Sequence, residues 1–324
     1  YNVSACNVYS TSFKEVGLMI YQLYKLEFLN HVRFGKRSLN DVEYTLHADT
    51  LYSALYIEAL KVGKQEEFYD ITKNGDVTFS DAFPYRGNEL YIPKPYIKIK
   101  NQENQGNSSE KKKYKKIKYI PADQLSDWVN GTFQIEEEEH KKEFGHADVK
   151  VSVAVRGKEK PEPYRVRYYS FEENCGLYFI VSASDKQQLQ LIGELLETLS
   201  YSGIGGKRYS GMGRFEVKMA RIPEHMEKQL NKQTKRYLLL STALPEEKEL
   251  ENVMEHADYQ LLKRSGFVAS ENYADQQMRK RDLYVFQAGS CFGNTFKGDI
   301  YDVSEGGSHP VYRYAKGLFM GVDV

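Results

Sequence analysis

The stretch GIGGKRYSGMGRFEV, running from Gly203 to Val217, places Gly203, Gly205, Gly206, Gly211 and Gly213 around Lys207, Arg208 and Arg214. Glycines let a backbone come close to a ligand with no side chain in the way, and successive N–H groups in a turn form anion-binding concavities. With three cations beside it, such a turn suits the sugar-phosphate backbone of RNA. The same glycines would also serve as a helix stop and as tight-turn residues, so both readings stand at the level of the residues. A second cationic cluster, HVRFGKRS, holds His31, Arg33, Lys36 and Arg37 around Gly35. It meets the glycine loop only if the chain folds back on itself; otherwise it is a solvated loop. His47 could act as a general base in RNA cleavage or as an RNA contact, or could simply be structural. The lysine run from Lys111 to Lys118, with Tyr114 and Tyr119, and the face Arg165, Arg167 and Tyr169 offer further stacking and pairing groups. A solvated loop and a protein interface, respectively, explain them as well.

These residues need elements to hold them. IYQLYKLEFL, from Ile20, alternates apolar and polar positions and reads as a first strand. HADTLYSALYIEALK spaces Leu51, Leu55 and Ala59 four apart and reads as a helix with Asp49 as its N-cap. The chain then turns polar from about Asn101 to Gly145, an insertion drawn at about 80–147. VKVSVAVR, with Val149, Val151, Val153 and Val155 on one face, and YRVRYYSFE form a protruding hairpin around KEKPEP, where prolines end ladder pairing. GLYFIV is a strand, SDKQQLQLIGELLETLS a helix, and RFEVKMARI a strand that closes the first unit. Without the insertion the order is strand, helix, strand, strand, helix, strand, the split βαβ arrangement of a ferredoxin-like fold. EHMEKQLNKQTKR reads as a linker at 223–235. A second unit, 236–324, opens with the strand YLLLSTAL and a helix carrying Leu250, Val253, Met254, Ala257 and Leu261 on one stripe. It is expected to be a degenerate copy of the first.

Composition bounds the function. With 324 residues there is material for two domains with separate cores, and 41% apolar with 28% charged residues places the chain among globular proteins. No apolar run approaches the roughly 18 residues of a membrane span. Cys6, Cys175 and Cys291 are far apart, which fits reduced thiols in a cytoplasmic protein and excludes a paired-cysteine metal site. Equal numbers of basic and acidic residues, 45 each, mean that any anion site must be local. The glycine loop joins a helix to a strand, the reverse of the strand-to-helix turn that nucleotide folds use, and no metalloprotease or nucleophile-elbow pattern occurs, so no cofactor is expected. Residues 1–18 lack the features of a signal peptide and read as a polar leader.

Four ordered blocks, FGKRSLNDVEYTLHADTLYSALYIEAL, YSGIGGKRYSGMGRFE, KRSGFVASENY and KGDIYDVSEGGSHPVYRYAKGL, together resemble the fourth Csm subunit of type III-A CRISPR effector complexes, from about Met19 to the C-terminus. The resemblance implies an α+β protein of the RAMP superfamily, with two ferredoxin-like (RRM-like) domains and a thumb-like hairpin from Val149 to Phe171. It implies a non-catalytic subunit that grips the repeat-derived 5′ tag of the guide RNA, close to target RNA, and joins the large signal-producing subunit to the backbone RAMP subunit. The RAMP glycine-rich loop falls on Gly203, Gly205, Gly206, Lys207, Arg208, Gly211 and Gly213. KRSGF adds Lys263 and Arg264, and HPVYRY adds His309, Tyr312 and Arg313. A guide-processing endoribonuclease of the same superfamily, using His47 or another histidine, is the rival reading.

Overall fold

The computed structural model describes residues 19–35, 38–97, 112, 114–134, 143–154, 162–270 and 272–323. The leader at 1–18, Lys36, Arg37, Lys111, Lys113 and the hairpin tip lie outside the described residues.

The alternation that begins at Ile20 becomes β1 (Ile20–Phe28), and α1 (Ala48–Lys61) and α2 (Gln65–Asn74) follow. The next elements are β2 (Val77–Phe79), β3 (Phe83–Arg86), β4 (Glu89–Pro93), β5 (Tyr119–Pro121) and α3 (Leu125–Asn130). A hairpin of β6 (Gly145–Ala154) and β7 (Glu162–Phe171) precedes β8 (Cys175–Ala183), α4 (Lys186–Ser202) and β9 (Phe215–Ala220). The main sheet runs β5-β4-β3-β8-β1-β9, with β2 also paired to β8. All of these pairings are antiparallel.

Strand β8 is buried at every position, which a one-sided sheet would not permit. Its side chains alternate between two cores. Leu177, Phe179 and Val181 pack with Leu51 and Leu55 of α1 and Leu195 and Leu199 of α4. Tyr178 and Ile180 pack on the other face with Leu238, Leu240 and Met320 from the C-terminal half. The expectation of a separate core for each domain holds only in part: the C-terminal half keeps a core of its own around Phe286, Phe292 and Phe296, but it also covers the sheet face that the helices leave open.

Two further expectations change for the same reason. The segment taken as a linker forms α5 (Glu224–Leu230), whose Met226 and Leu230 are buried in that shared core. The region taken as an insertion contributes β3, which pairs directly with β8, so only part of it is peripheral. The C-terminal half contains β10 (Arg236–Leu239), α6 (Glu247–Met254), β11 (Leu261–Arg264), β12 (Leu283–Phe286), β13 (Cys291–Phe292), β14 (Gly298–Asp302), β15 (Tyr312–Lys316) and β16 (Phe319–Val322). These strands form the three-stranded sheet β13-β10-β16 and two ribbons, β11-β12 and β14-β15. Helix α6 is shorter than its apolar stripe suggested, and Leu261 belongs to a ribbon. The hairpin β6-β7 stands as a separate ribbon on which Val149, Val151 and Val153 are exposed. Among the described residues, no helix is long and apolar enough to cross a membrane.

Candidate nucleic-acid interface

Helix α4 stops at Gly203, which has φ +76° and donates its N–H to the Leu199 carbonyl at 2.8 Å. The loop beyond it is lashed to the chain that leaves β1. Gly206 donates to the Arg33 carbonyl at 2.8 Å, Gly213 to that of His31 at 2.9 Å, and Asn30 Nδ2 to that of Gly211 at 2.6 Å. On its other side, the 31–34 segment exchanges both backbone bonds between Val32 and Tyr169, at 2.8 and 2.9 Å. The chain does fold back, and His31 and Arg33 of the second cluster join the glycine loop to the base of the hairpin.

This arrangement engages much of the loop's backbone within the protein. The amides of Gly203, Ile204, Gly206, Ser210, Gly211 and Gly213 all donate within the protein. The glycines answer internal crowding. A Cβ at Gly205 would lie 2.8 Å from the Arg33 carbonyl oxygen, and one at Gly213 would lie 2.1 Å from that of Ile204, both at positive φ. The loop's own side chains stand beside these glycines.

Of these, Ile204 and Arg208 open onto a groove of about 260 Å³ between the loop, the 33–35 segment and the N-terminal half of α1. Arg33, His47, Arg208 and Arg264 line it, with Glu43 and the hydroxyl-bearing Thr45, Thr50 and Ser53. Among the described residues, nothing bonds to the Arg208 guanidinium. Arg33 donates from Nη2 to the Ser38 carbonyl at 3.0 Å, its buried Nε finds no partner there, and burial lowers its pKa. Lys207, held at φ +62°, turns to the hairpin: Nζ donates to the Tyr164 hydroxyl at 2.9 Å and sits 5.0 Å from that ring's centre.

His47 has a partner that sequence could not show. Its Nδ1 lies 2.8 Å from Asp81 Oδ2 and 3.0 Å from Thr242 Oγ1. Asp81 also accepts from the N–H groups of Ala48 at 2.8 Å and Thr242 at 2.7 Å. Asp81 therefore supplies a helix N-terminal acceptor from 33 residues away. The expected cap, Asp49, lies inside α1, where it is buried and accepts from Arg264 Nε at 2.9 Å, Arg264 Nη2 at 2.7 Å and Arg313 Nη1 at 2.6 Å. Burial would push this carboxyl up, but the two guanidiniums outweigh it and hold its pKa well below the ordinary range.

The C-terminal candidates divide. Arg264 reaches the groove, with Nη2 3.1 Å from Thr50 Oγ1. Arg313 is buried on Asp49, and Tyr312 packs on Tyr69 with ring centres 4.6 Å apart. Arg313 thus takes an internal role, while Tyr312 stays half-buried where its strand crosses α1 and α2. Lys263 pairs with Asp282 at 2.7 Å, and His309 Nε2 lies 2.9 Å from Ser270 Oγ, so neither lines the groove. Tyr169 and Tyr119 are likewise internal: Tyr169 stacks on Tyr44 at 5.1 Å, and Tyr119 contacts Phe83. Tyr114 donates its hydroxyl to the Phe133 carbonyl at 2.7 Å. Arg165 and Arg167 stay exposed on the hairpin.

Comparison with known proteins is consistent across the chain. A family model for the CRISPR Csm4 C-terminal domain matches residues 232–322. The CRISPR system Cms protein Csm4 of Mycobacterium tuberculosis (strain CDC 1551 / Oshkosh) is 38% identical over 303 residues, covering 93% of this chain and 97% of that protein. A crystal structure of a Csm3-Csm4 subcomplex from the type III-A CRISPR-Cas interference complex shares the fold, with a TM-score of 0.67 and 17% identity over 94% of this chain and 100% of that one. A Csm1-Csm4 cassette in complex with AMPPNP does so with a TM-score of 0.62 and 19% identity over 94% and 98%.

Proposed function

The chain belongs to the Csm4 family, and from that membership we propose that it is a non-catalytic, RNA-binding subunit of a type III-A CRISPR effector complex. In this reading it holds the repeat-derived 5′ tag of the guide RNA and joins a large signal-producing subunit to the backbone RAMP subunits, close to target RNA in the cytoplasm. The relatives solved in complex pair Csm4 with Csm3 in one case and with Csm1 in the other, which supports both contacts. The strand order β9-β1-β8-β2, antiparallel throughout and interleaved with α1 and α4, supports reading residues 19–222 as a ferredoxin-like RAMP unit with β6-β7 as its thumb. Residues 236–324 form the second unit, reshaped to cover the first.

The observation that carries the RNA reading is the groove in which Arg33, His47, Arg208 and Arg264 come together from four separate stretches of sequence. An unpaired guanidinium over hydroxyl-lined walls suits a single strand, whose phosphates meet cations while its splayed bases reach neighbouring side chains. Arg208→Ala should weaken binding of tag RNA and lower the salt slope by about 0.7, the share of one single-strand phosphate contact. An unaltered slope would remove the groove from the RNA path.

The endoribonuclease reading draws on the His47–Asp81 contact, which resembles an oriented general base. Asp81, however, is already engaged by Ala48 and by both the N–H and the hydroxyl of Thr242, so the contact acts as a clasp between the two halves. Incubating the chain with repeat RNA decides between the readings: intact RNA is expected, and cleavage that His47→Ala abolishes would reverse the choice.

A further inference from the structure

We propose that Tyr209 is a base-stacking site, a platform for one unpaired nucleobase of RNA beside the groove-lining Arg208. This rests on the RNA reading above and adds a residue and a ligand class to it. Tyr209 is 99% exposed and has no ring partner among the described residues. Tyrosine carries a large apolar body, and one that touches nothing forfeits the burial that normally stabilises it.

The backbone that presents it is pinned. Tyr209 sits in a one-turn 3₁₀ helix, Arg208–Ser210, between two residues of positive φ, Lys207 and Gly211. Ser210 donates to the Lys207 carbonyl at 2.9 Å and Gly211 to that of Arg208 at 2.8 Å, while Gly211's own carbonyl is held by Asn30. The ring is thus carried outward on a turn braced from both ends, so little backbone entropy remains to be lost when a partner arrives.

Its surroundings choose the partner. The residue before it, Arg208, lines the groove, and Lys207 lies one further back. Space beside Gly211 is open, with nothing within 4 Å of a Cβ built there. A tyrosine anchoring a protein interface is normally ringed by contacts that exclude water. Here its chain neighbours are two cations, a serine and a glycine, which suits a base stacked on the ring with its flanking phosphate on the arginine.

The test measures binding of synthetic single-stranded RNA carrying the repeat-derived tag to the full chain and to its Tyr209→Ala and Tyr209→Phe variants, across a salt series. Tyr209→Ala should bind about 5- to 150-fold more weakly with an unchanged salt slope, because stacking releases no counterions. Tyr209→Phe should stay within about twofold of the wild type, since it keeps the stacking face. Tag RNAs with one abasic position each should then abolish the alanine penalty at a single position. Wild-type affinity in Tyr209→Ala, or a penalty equal at all abasic positions, overturns the platform and leaves the RNA reading intact. Loss of backbone-subunit capture by Tyr209→Ala without RNA reassigns the ring to a protein contact and also overturns it. A wild-type chain that fails to bind tag RNA overturns the RNA reading itself.

Discussion

Replacing Asp49 with Asn leaves the shape of α1 intact but removes the carboxylate that pairs with both Arg264 and Arg313. Both guanidiniums come from the C-terminal half, 215 and 264 residues away in sequence, and the three charged groups are largely or wholly out of water. Breaking a buried pair on one side costs about 3–5 kcal/mol, because the remaining charge keeps its desolvation penalty without its attraction. An unfolding entropy of about 2.1 cal/mol/K per residue over 324 residues gives about 0.7 kcal/mol/K, so the loss corresponds to a drop in Tm of about 4–7 °C. Calorimetry of wild type and Asp49→Asn measures this directly. The sign with pH also follows. A carboxyl whose pKa is depressed on folding contributes stability above its unfolded value of about 3.9, and that contribution fades as pH falls through the folded value. The wild type should therefore lose stability in acid more steeply than Asp49→Asn. A variant melting within about 1 °C of wild type at neutral pH would refute the idea that this carboxylate joins the two halves.

Three other outcomes are expected. Gly213→Ala should destabilise the chain by about 1–3 kcal/mol, read by denaturant titration, because the new Cβ meets the Ile204 carbonyl at positive φ. The Cys291 thiol, pushed up to about 12 by burial, should resist alkylation at neutral pH until the chain is unfolded, which timed thiol labelling would show. Burial, followed by the nearby Arg313, lowers Lys280 to about 8. The unfolded chain then holds the extra proton between that value and about 10.4, so stability should rise across the window by up to about 3 kcal/mol. Denaturant titrations at pH 8 and 10 check this, and Lys280→Met should flatten the rise.

Much of the first unit was legible because its signals are local. The period-two alternation from Ile20, the four-residue spacing of Leu51, Leu55 and Ala59, and the Gly203 stop after α4 each depend on neighbours within a turn or two. The cations Arg33 and Arg208 could also be nominated from sequence, since charge beside glycine is a property of the string. Their meeting could not. It needs Gly206 and Gly213 bonded to carbonyls on the segment leaving β1, about 170–180 residues earlier.

Where sequence reasoning failed, a distant partner had taken over a residue. Asp49 looked like a cap because position alone suggested it, yet Asp81 holds the Ala48 amide and Asp49 serves two arginines from the other half. The polar string at 223–235 looked like a linker because its few apolar residues, Met226 and Leu230 among them, announce themselves only when the sheet's open face comes to lie above them. Local propensity, turn chemistry and charge are written along the chain. Which groups lose water together is decided by packing, and packing set both the groove and the roles of the residues around it.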